Sequence, residues 1–573
     1  QAIKHNEKQI SISNSIGEIA GEMTGCLNLG KIYWKLDELS KAIEFQKKAL
    51  CFAEKMKSLD KMGSCHHDLG ISYSKSKEFE TACDHLEKCT ELYAEVRRLL
   101  FEKDIYKISL SNVQATAYRL YTQCLLQREK YEEALLVSER ARSAALADMM
   151  VVSYGLHNPK EGKREALNGG SLREVVSRLG GQIIYYALSG TGKENVVLWS
   201  LQANGDPQFL GEATDWKSLL DEALSEMKIK ENPVKCEDRS LPSRGNTRPL
   251  QNQENDEDGQ KTDGDLLCCP PSKRITQKDR SSALEKLYDV LFSRTLPDQA
   301  TTDLIIVPDA ELHRIPWAAL RNENNQSLGA QHRIRLLPSL TIMKAIFECP
   351  PNFHNQKGAV IVGDPDVGLV SFKAKKITEF ITRLEHANEE AQEIARLFGV
   401  KPLLGEEATK ARFLENLDTA ALVHIAAHGN SLTGEIAFAP PPEKRKPVLD
   451  EEDVVLTMAE VQNAKVRAKL IVLSCCHSAT GDIRAEGVIG IARAFLGAGA
   501  RSVLATLWAV DDNATLEFMR KFYQHLKLGK KASEAVHQAT TALRLSEKFQ
   551  SPCNWAPFVL IGDDVTFENL EQM

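Results

Sequence analysis

No Cys-x-x-Cys pair occurs in the 573 residues, although the chain holds 13 cysteines. That removes the usual zinc-finger spacing, and their irregular placement removes a disulfide framework. An odd cysteine number in a large chain fits reduced thiols instead. Excess positive charge is missing too. The formal net charge is −7, which argues against a large footprint on nucleic acid or an anionic membrane. Long apolar runs are also lacking. The most apolar stretch, 488–508, carries Arg493, Arg501 and several glycines, so it reads as a buried helix and strand, not a membrane span. No secretory segment stands at the front, and a first residue other than Met marks the expected fragment of something longer. A hydrophobic share of 43% with 26% charged residues is that of globular protein, and the length asks for several cores. The expectation is a cytoplasmic, multidomain protein.

What is present begins with a repeat. Leu29-Gly30-x-x-Tyr33 returns as Leu69-Gly70-x-x-Tyr73, and 69 − 29 gives a period of 40. Ala42-Ile43 with Ala49-Leu50 is matched by Ala82-Cys83 with Lys88-Cys89. Small residues there let two antiparallel helices approach closely, with aromatics between them. A third, diverged copy places Tyr121 and Leu125 before Ala134-Leu135 and Ala141, displaced by about a dozen residues inserted around 101–111. The pattern resembles tetratricopeptide repeats of the longer spacing. Such repeats stack into a curved solenoid whose concave face commonly holds a protein partner. Trp34 and Phe52 are expected to pack against the next repeat.

The middle of the chain opens with strands expected over 182–188 and 196–201, joined by Ser189-Gly190-Thr191-Gly192-Lys193. A phosphate loop is excluded there, because Ala187 stands where its first glycine belongs and Glu194 where its Ser/Thr belongs. A hairpin turn accounts for the segment. Trp216, Leu219, Leu220, Ala223, Leu224 and Met227 keep helical spacing. From 230 to 281 apolar residues almost vanish, which reads as a disordered insertion. Arginines at 239, 244 and 248 make it a candidate autoprocessing segment. A helix over 283–292 and a strand over 304–307 follow.

Two short apolar runs in the last third, 422–427 and 470–473, each end abruptly in reactive polar residues: His428-Gly429, and Ser474-Cys475-Cys476-His477. Buried parallel strands look like this where their carboxyl ends open onto a site. Further strands are expected over 358–363, 502–507 and 558–561, alternating with helices over 388–398 and 487–496. Such alternation predicts a mainly parallel sheet with right-handed crossovers. A histidine at one strand end beside a cysteine at the next makes a thiolate–imidazolium pair. Local geometry leaves Cys475 and Cys476 both open as the thiol. His424, inside its strand, is expected to be a hydrogen-bonded core histidine.

Several motifs in order resemble the CHAT domain, the caspase-like domain that accompanies tetratricopeptide repeats. They are Asp303-Leu304-Ile305-Ile306-Val307-Pro308-Asp309, Leu312-His313-Arg314-Ile315-Pro316-Trp317, Val360-Ile361-Val362-Gly363-Asp364-Pro365, His424-Ile425-Ala426-Ala427-His428-Gly429, Leu473-Ser474-Cys475-Cys476, Leu507-Trp508-Ala509-Val510-Asp511-Asp512 and Trp555-Ala556-Pro557-Phe558. The resemblance covers about 172–565. It implies a cysteine endopeptidase of the caspase/separase type acting on a protein or peptide, with Cys476 as nucleophile and His428 as base. Gly429 and Cys476 would offer backbone N–H groups to the oxyanion. In related peptidases the residue two before the nucleophile often sets the preferred side chain. Ser474 stands there, and Asp364 and Asp511 are candidates for negative charge near a bound side chain. Asp364 can instead cap the turn before Pro365. No metal or organic cofactor is implied. The alternative is a catalytically silent scaffold. The expected layout is a repeat solenoid over 1–150, a connection over 151–171, the start of the CHAT domain over 172–229, the insertion over 230–281, the catalytic region over 282–566 and a tail over 567–573.

Overall fold

The computed structural model describes residues 1–573 apart from 100–103, 143, 157–165, 191–194, 204, 228–239, 242–280, 293–302, 374–375, 431–433, 476–477, 480, 485–486 and 568–573. The N-terminal part is a run of antiparallel helices. Ile19–Lys35 and Leu39–Lys55 form one unit, and Leu59–Lys75 with Phe79–Leu99 forms the next, each helix starting 40 residues after its counterpart (59 − 19 and 79 − 39). Glycine is needed where the helices meet. A Cβ on Gly30 would lie 2.8 Å from the Gln46 side chain, and one on Gly70 would lie 2.6 Å from Leu86. Tyr33 stacks on Phe45 and Tyr73 on His85, both at 5.5 Å between ring centres. Trp34 does pack toward the next repeat, lying 4.6 Å beneath the Lys75 ammonium. Phe52 is half-buried beside Ala49 and Cys65. In the third unit, Tyr131–Ala141 begins 52 residues after Phe79, twelve beyond the period. Longer helices absorb the excess: Phe79–Leu99 has 21 residues and Asp104–Gln127 has 24, against 17 in Ile19–Lys35.

The second part is built on an eleven-stranded sheet. Its order is Leu403–Gly405, Gly358–Pro365, Ala420–Ala426, Leu470–Leu473, Ser502–Thr506, Phe558–Gly562, Arg333–Leu336, Asp303–Val307, Gln182–Ser189, Asn195–Gln202 and Gln208–Ala213. Neighbours run parallel except at Ser502–Thr506 with Phe558–Gly562, and along the last two pairs. Gln182–Ser189 and Asn195–Gln202 do pair as a hairpin, though its turn lies outside the described residues. Near-continuous apolar strands mean that both faces are covered. Val423, Ile425, Ile471 and Leu473 face one core with Leu146, Val175, Ile342 and Phe495. Leu422, Leu470 and Val472 face the other with Trp216, Leu287, Ile394 and Phe518. A helical repeat array followed by an α/β domain with a mainly parallel sheet, as expected from sequence, is what is found.

One expected element is corrected. The helix over 487–496 exists only as Ile491–Gly497, because Gly487–Ile489 pairs antiparallel with Asp482–Arg484. β-Branched Val488 and Ile489 between Gly487 and Gly490 suit a short strand better than a helix. The helix expected over 388–398 is longer at its start, Glu385–Phe398. Of the expected insertion 230–281, only Ser240–Leu241 and Ser281 are described; Arg239, Arg244 and Arg248 lie outside the described residues. Phe567, placed by expectation in the tail, is 3% exposed and belongs to the second core.

The repeats are fused to the sheet. Arg142, 4% exposed, donates to the Tyr186 carbonyl at 2.6 Å and the Pro308 carbonyl at 3.3 Å, and lies 3.3 Å from the Asp309 carboxylate. Its guanidinium stacks 4.3 Å over the Tyr185 ring. Glu139 accepts the Thr341 N–H at 2.6 Å, and Trp199 donates to the Tyr131 carbonyl at 3.1 Å. Removing one partner of a buried charge cluster leaves the others unpaired. Arg142→Ala is therefore expected to cost about 3–5 kcal/mol, read from urea unfolding at pH 7. An unchanged midpoint would show that the junction does not depend on this side chain.

Candidate active site

The site is set by where two parallel strands stop. Ala420–Ala426 and Leu470–Leu473 pair with Ile425 opposite Leu473. The Ser474 N–H extends the ladder by donating to the Ile425 carbonyl at 2.8 Å. His428 and Cys476 each stand three residues beyond this last register pair. The structure therefore brings His428, Gly429 and Ser474 to the carboxyl ends of two adjacent interior strands. Cys476 and His477 themselves lie outside the described residues, as does Glu486, a carboxylate expected from sequence to be structural.

Their flanks are described, and they are tightly tied. Cys475 is 2% exposed, with its Sγ 3.5 Å from the Ile425 carbonyl, in the same core as Leu473. The Thr506 hydroxyl donates to the Cys475 carbonyl at 2.9 Å, and its N–H donates to Ser478 Oγ at 3.0 Å. Ser478 in turn donates to the Leu473 carbonyl at 3.1 Å, and the Ala479 N–H to the Thr506 carbonyl at 2.9 Å. Thr506 thus pins the chain on both sides of 476–477. No sequence pattern singled it out; its position at the end of the adjoining strand was the available signal.

His428 is 4% exposed, and its Nε2 lies 2.8 Å from the Thr382 carbonyl. A carbonyl only accepts, so Nε2 carries the hydrogen. In the neutral ring Nδ1 then holds the lone pair and is the nitrogen able to take a proton. Sequence reasoning missed Thr382, since a backbone carbonyl can belong to any residue. Directly after His428 the backbone pairs with the strand Ile436–Ala437, Gly429 standing opposite Ile436. The Ala437 N–H donates to the His428 carbonyl at 2.9 Å and the Asn430 N–H to the Glu435 carbonyl at 2.8 Å. Peptide groups alternate sides along a strand, so the Gly429 N–H and carbonyl point to the opposite edge.

Asp364 ends the strand next to the histidine strand, at φ 49° and 2% exposed. Its carboxylate accepts from Arg383 Nε at 2.9 Å and also from the rest of that guanidinium, from the Leu384 N–H at 2.6 Å and from Asn388 at 3.1 Å. Burial pushes the carboxyl up, but these donors outweigh it and hold its pKa below the usual range. The carboxylate so anchors residues 383–384, immediately after the carbonyl that holds His428. Asp511 lies past the end of Ser502–Thr506 and caps the helix Asp512–Lys527, accepting the Ala514 N–H at 3.1 Å. Asp512 is buried at the start of that helix. His424 is a core histidine: Nδ1 is 3.0 Å from the Tyr523 hydroxyl and Nε2 is 3.2 Å from Glu390. Among the described residues no group of three or more His, Cys, Asp or Glu could hold a metal ion.

A family model described as the CHAT domain matches residues 281–563, and one described as a tetratricopeptide repeat matches 24–52. The chain is a tetratricopeptide-repeat and CHAT-domain protein. Tetratricopeptide repeat protein 28 of Homo sapiens is 25% identical over 618 aligned positions, and that of Mus musculus is 26% identical over 602. Each alignment covers 87% of this chain, which spans only 24% of the length of those relatives. Among solved structures, a Saccharomyces cerevisiae separase–securin complex matches over 98% of this chain and 48% of that one, at 11% identity and TM-score 0.45. The pro- and mature domains of Porphyromonas gingivalis RgpB match over 51% and 70%, at 9% identity and TM-score 0.33.

Within the CHAT domain, the Asp364 cluster carries a stability prediction. A carboxylate with a lowered pKa contributes fully above about pH 4 and loses that contribution as pH falls through the lowered value. Asp364→Asn should cost about 1–3 kcal/mol at pH 7. The gap from wild type should close toward pH 2, as measured by denaturant titrations at several pH values. A gap independent of pH would assign the loss to packing.

Proposed function

We propose that the CHAT domain is a cysteine endopeptidase of the caspase/separase type working through His428 and Cys476. The observation that carries this reading is the orientation of His428. Its Nε2–H is committed to the Thr382 carbonyl, which leaves Nδ1 as base on a strand paired in register with the cysteine strand. His428 Nδ1 takes the thiol proton of Cys476, and the thiolate attacks the peptide carbonyl. The Gly429 and Cys476 N–H groups stabilise the oxyanion, and the imidazolium returns the proton to the leaving amine. Cys475 faces the core, which supports Cys476 as the reacting thiol of the pair. Asp364 and Asp511 are occupied by partners within the chain, so we assign them to positioning the loops around the site. Ser474, buried beside the reacting residue, is assigned to the floor of the side-chain pocket.

The repeat solenoid would recruit a partner or the substrate on its concave face. A cytoplasmic setting is proposed from the free thiols, nine among the described residues. No described helix is long and apolar enough to cross a membrane. A second reading, a silent scaffold acting through protein contacts, is favoured by the 4% exposure of His428.

Thiol labelling separates the two. Burial pushes Cys65 and Cys89 up to about 12 and Cys349 to about 11, so these thiols react slowly. A peptidyl electrophile at pH 6 should mark Cys476 first, ahead of exposed Cys51. His428→Ala should slow that labelling at least about tenfold, and Cys476→Ala should abolish peptide cleavage with the melting temperature unchanged. Labelling of Cys476 no faster than Cys51, and indifferent to His428→Ala, would support the scaffold.

A further inference from the structure

The small sheet beside the site contains a strand from a distant part of the chain. Its order is Val455–Leu456, Ile436–Ala437, Gly429–Asn430 and, at the edge, Ser240–Leu241. Ser240–Leu241 runs parallel to the residues that follow His428, with Ser240 opposite Gly429 and Leu241 opposite Asn430. It belongs to the insertion between the helices Trp216–Glu226 and Ala283–Phe292, which pack together on the half of the sheet holding Gln182–Ser189. Six strand intervals separate Gln182–Ser189 from Ala420–Ala426, or about 29 Å at 4.8 Å each. The fourteen residues from Glu226 to Ser240 reach up to about 46 Å when extended. The pairing therefore joins distant parts of the fold and is not a local turn.

The edge it occupies is the one that matters chemically. The carbonyl of His428 and the N–H of Asn430 are bonded to the hairpin strand, so Gly429 presents both its peptide groups to Ser240–Leu241. A residue in a parallel ladder bonds to the two neighbours of its register partner, so the Gly429 carbonyl receives the Leu241 N–H.

We propose that the Gly429 edge is a docking strand for an extended peptide and that this chain fills it with its own Ser240–Leu241 segment, which a substrate must displace. The competition for substrate rests on the peptidase reading; the strand docking does not. Addition of a peptide to an open sheet edge is a common recognition mode, with affinity from main-chain bonds.

The test uses the full chain with Leu241→Pro, which deletes the N–H offered to Gly429. Ser240→Pro is the control, since the Ser240 N–H points away from the ladder. A fluorescent peptide of residues 237–244 should bind Leu241→Pro with a Kd at least tenfold below that for wild type. Backbone hydrogen exchange over 428–430 should quicken in the same variant. Ser240→Pro should match wild type in both, and a peptide carrying proline at its Leu241 position should not bind. Equal affinity of wild type and Leu241→Pro, or no binding by either with unchanged exchange, overturns the docking. Binding without hydrolysis, together with sluggish Cys476 labelling, leaves the docking standing and removes the peptidase reading alone.

Discussion

The register of two parallel strands is the constraint on which the site depends. Ile425 faces Leu473 across the ladder, and each chain then leaves the sheet and runs three residues to His428 or Cys476. At about 3.3 Å per residue, neither chain can drift far from that starting line. A slip of one residue would turn every side chain of one strand to the opposite face. It would bring Cys475 out of the core that it shares with Leu473. The Ser474 N–H on the Ile425 carbonyl and the two Thr506 bonds guard against this, because a shifted strand would lose all three at once.

The helix Glu385–Phe398 sets the other half of the arrangement. Its N-terminal approach supplies the Thr382 carbonyl to His428 and is anchored by Asp364. One turn in, Glu390 reaches His424 inside the histidine strand. Further on, Glu393 takes a bidentate pair from Arg520 at 2.6 Å for each bond. Two carboxylates on a single helix thus engage two different elements. The imidazole is oriented by a peptide carbonyl whose own position is fixed by buried carboxylates.

Much of this was legible in the sequence, and the limits were physical. Buried parallel strands are written as unbroken apolar runs, so 470–473 could be read to the residue. The repeat period showed through small residues at helix contacts such as Gly30 and Gly70. The stretch 487–496 misled because Gly487, Val488 and Ile489 lead into a true helix without an abrupt change of composition. Asp364 could be placed at a strand end, but its donors Arg383 and Asn388 come from a loop and a helix whose approach only the tertiary fold defines. Pairing between Ser240–Leu241 and Gly429–Asn430 has no signature at all, since it joins backbone to backbone across 189 residues (429 − 240).

The apolar core on one face of the sheet is continuous from Leu69, Tyr73 and Leu86 in the repeats, through Leu135 and Met150, to Leu473 and Val503. The later repeats and the sheet share one core, while the first keep a small cluster of their own around Met23, Ala49 and Cys65, and the last helical pair serves as part of the CHAT domain's wall. The three strands from Gln182 to Ala213 likewise lie upstream of residue 281, where the family match begins. The portable unit, the piece that gene rearrangement could move intact into another protein, is therefore longer than the segment recognised by family resemblance. A CHAT domain transplanted without its terminal helical repeat would carry an open greasy flank, which explains in physical terms why the two modules would travel together.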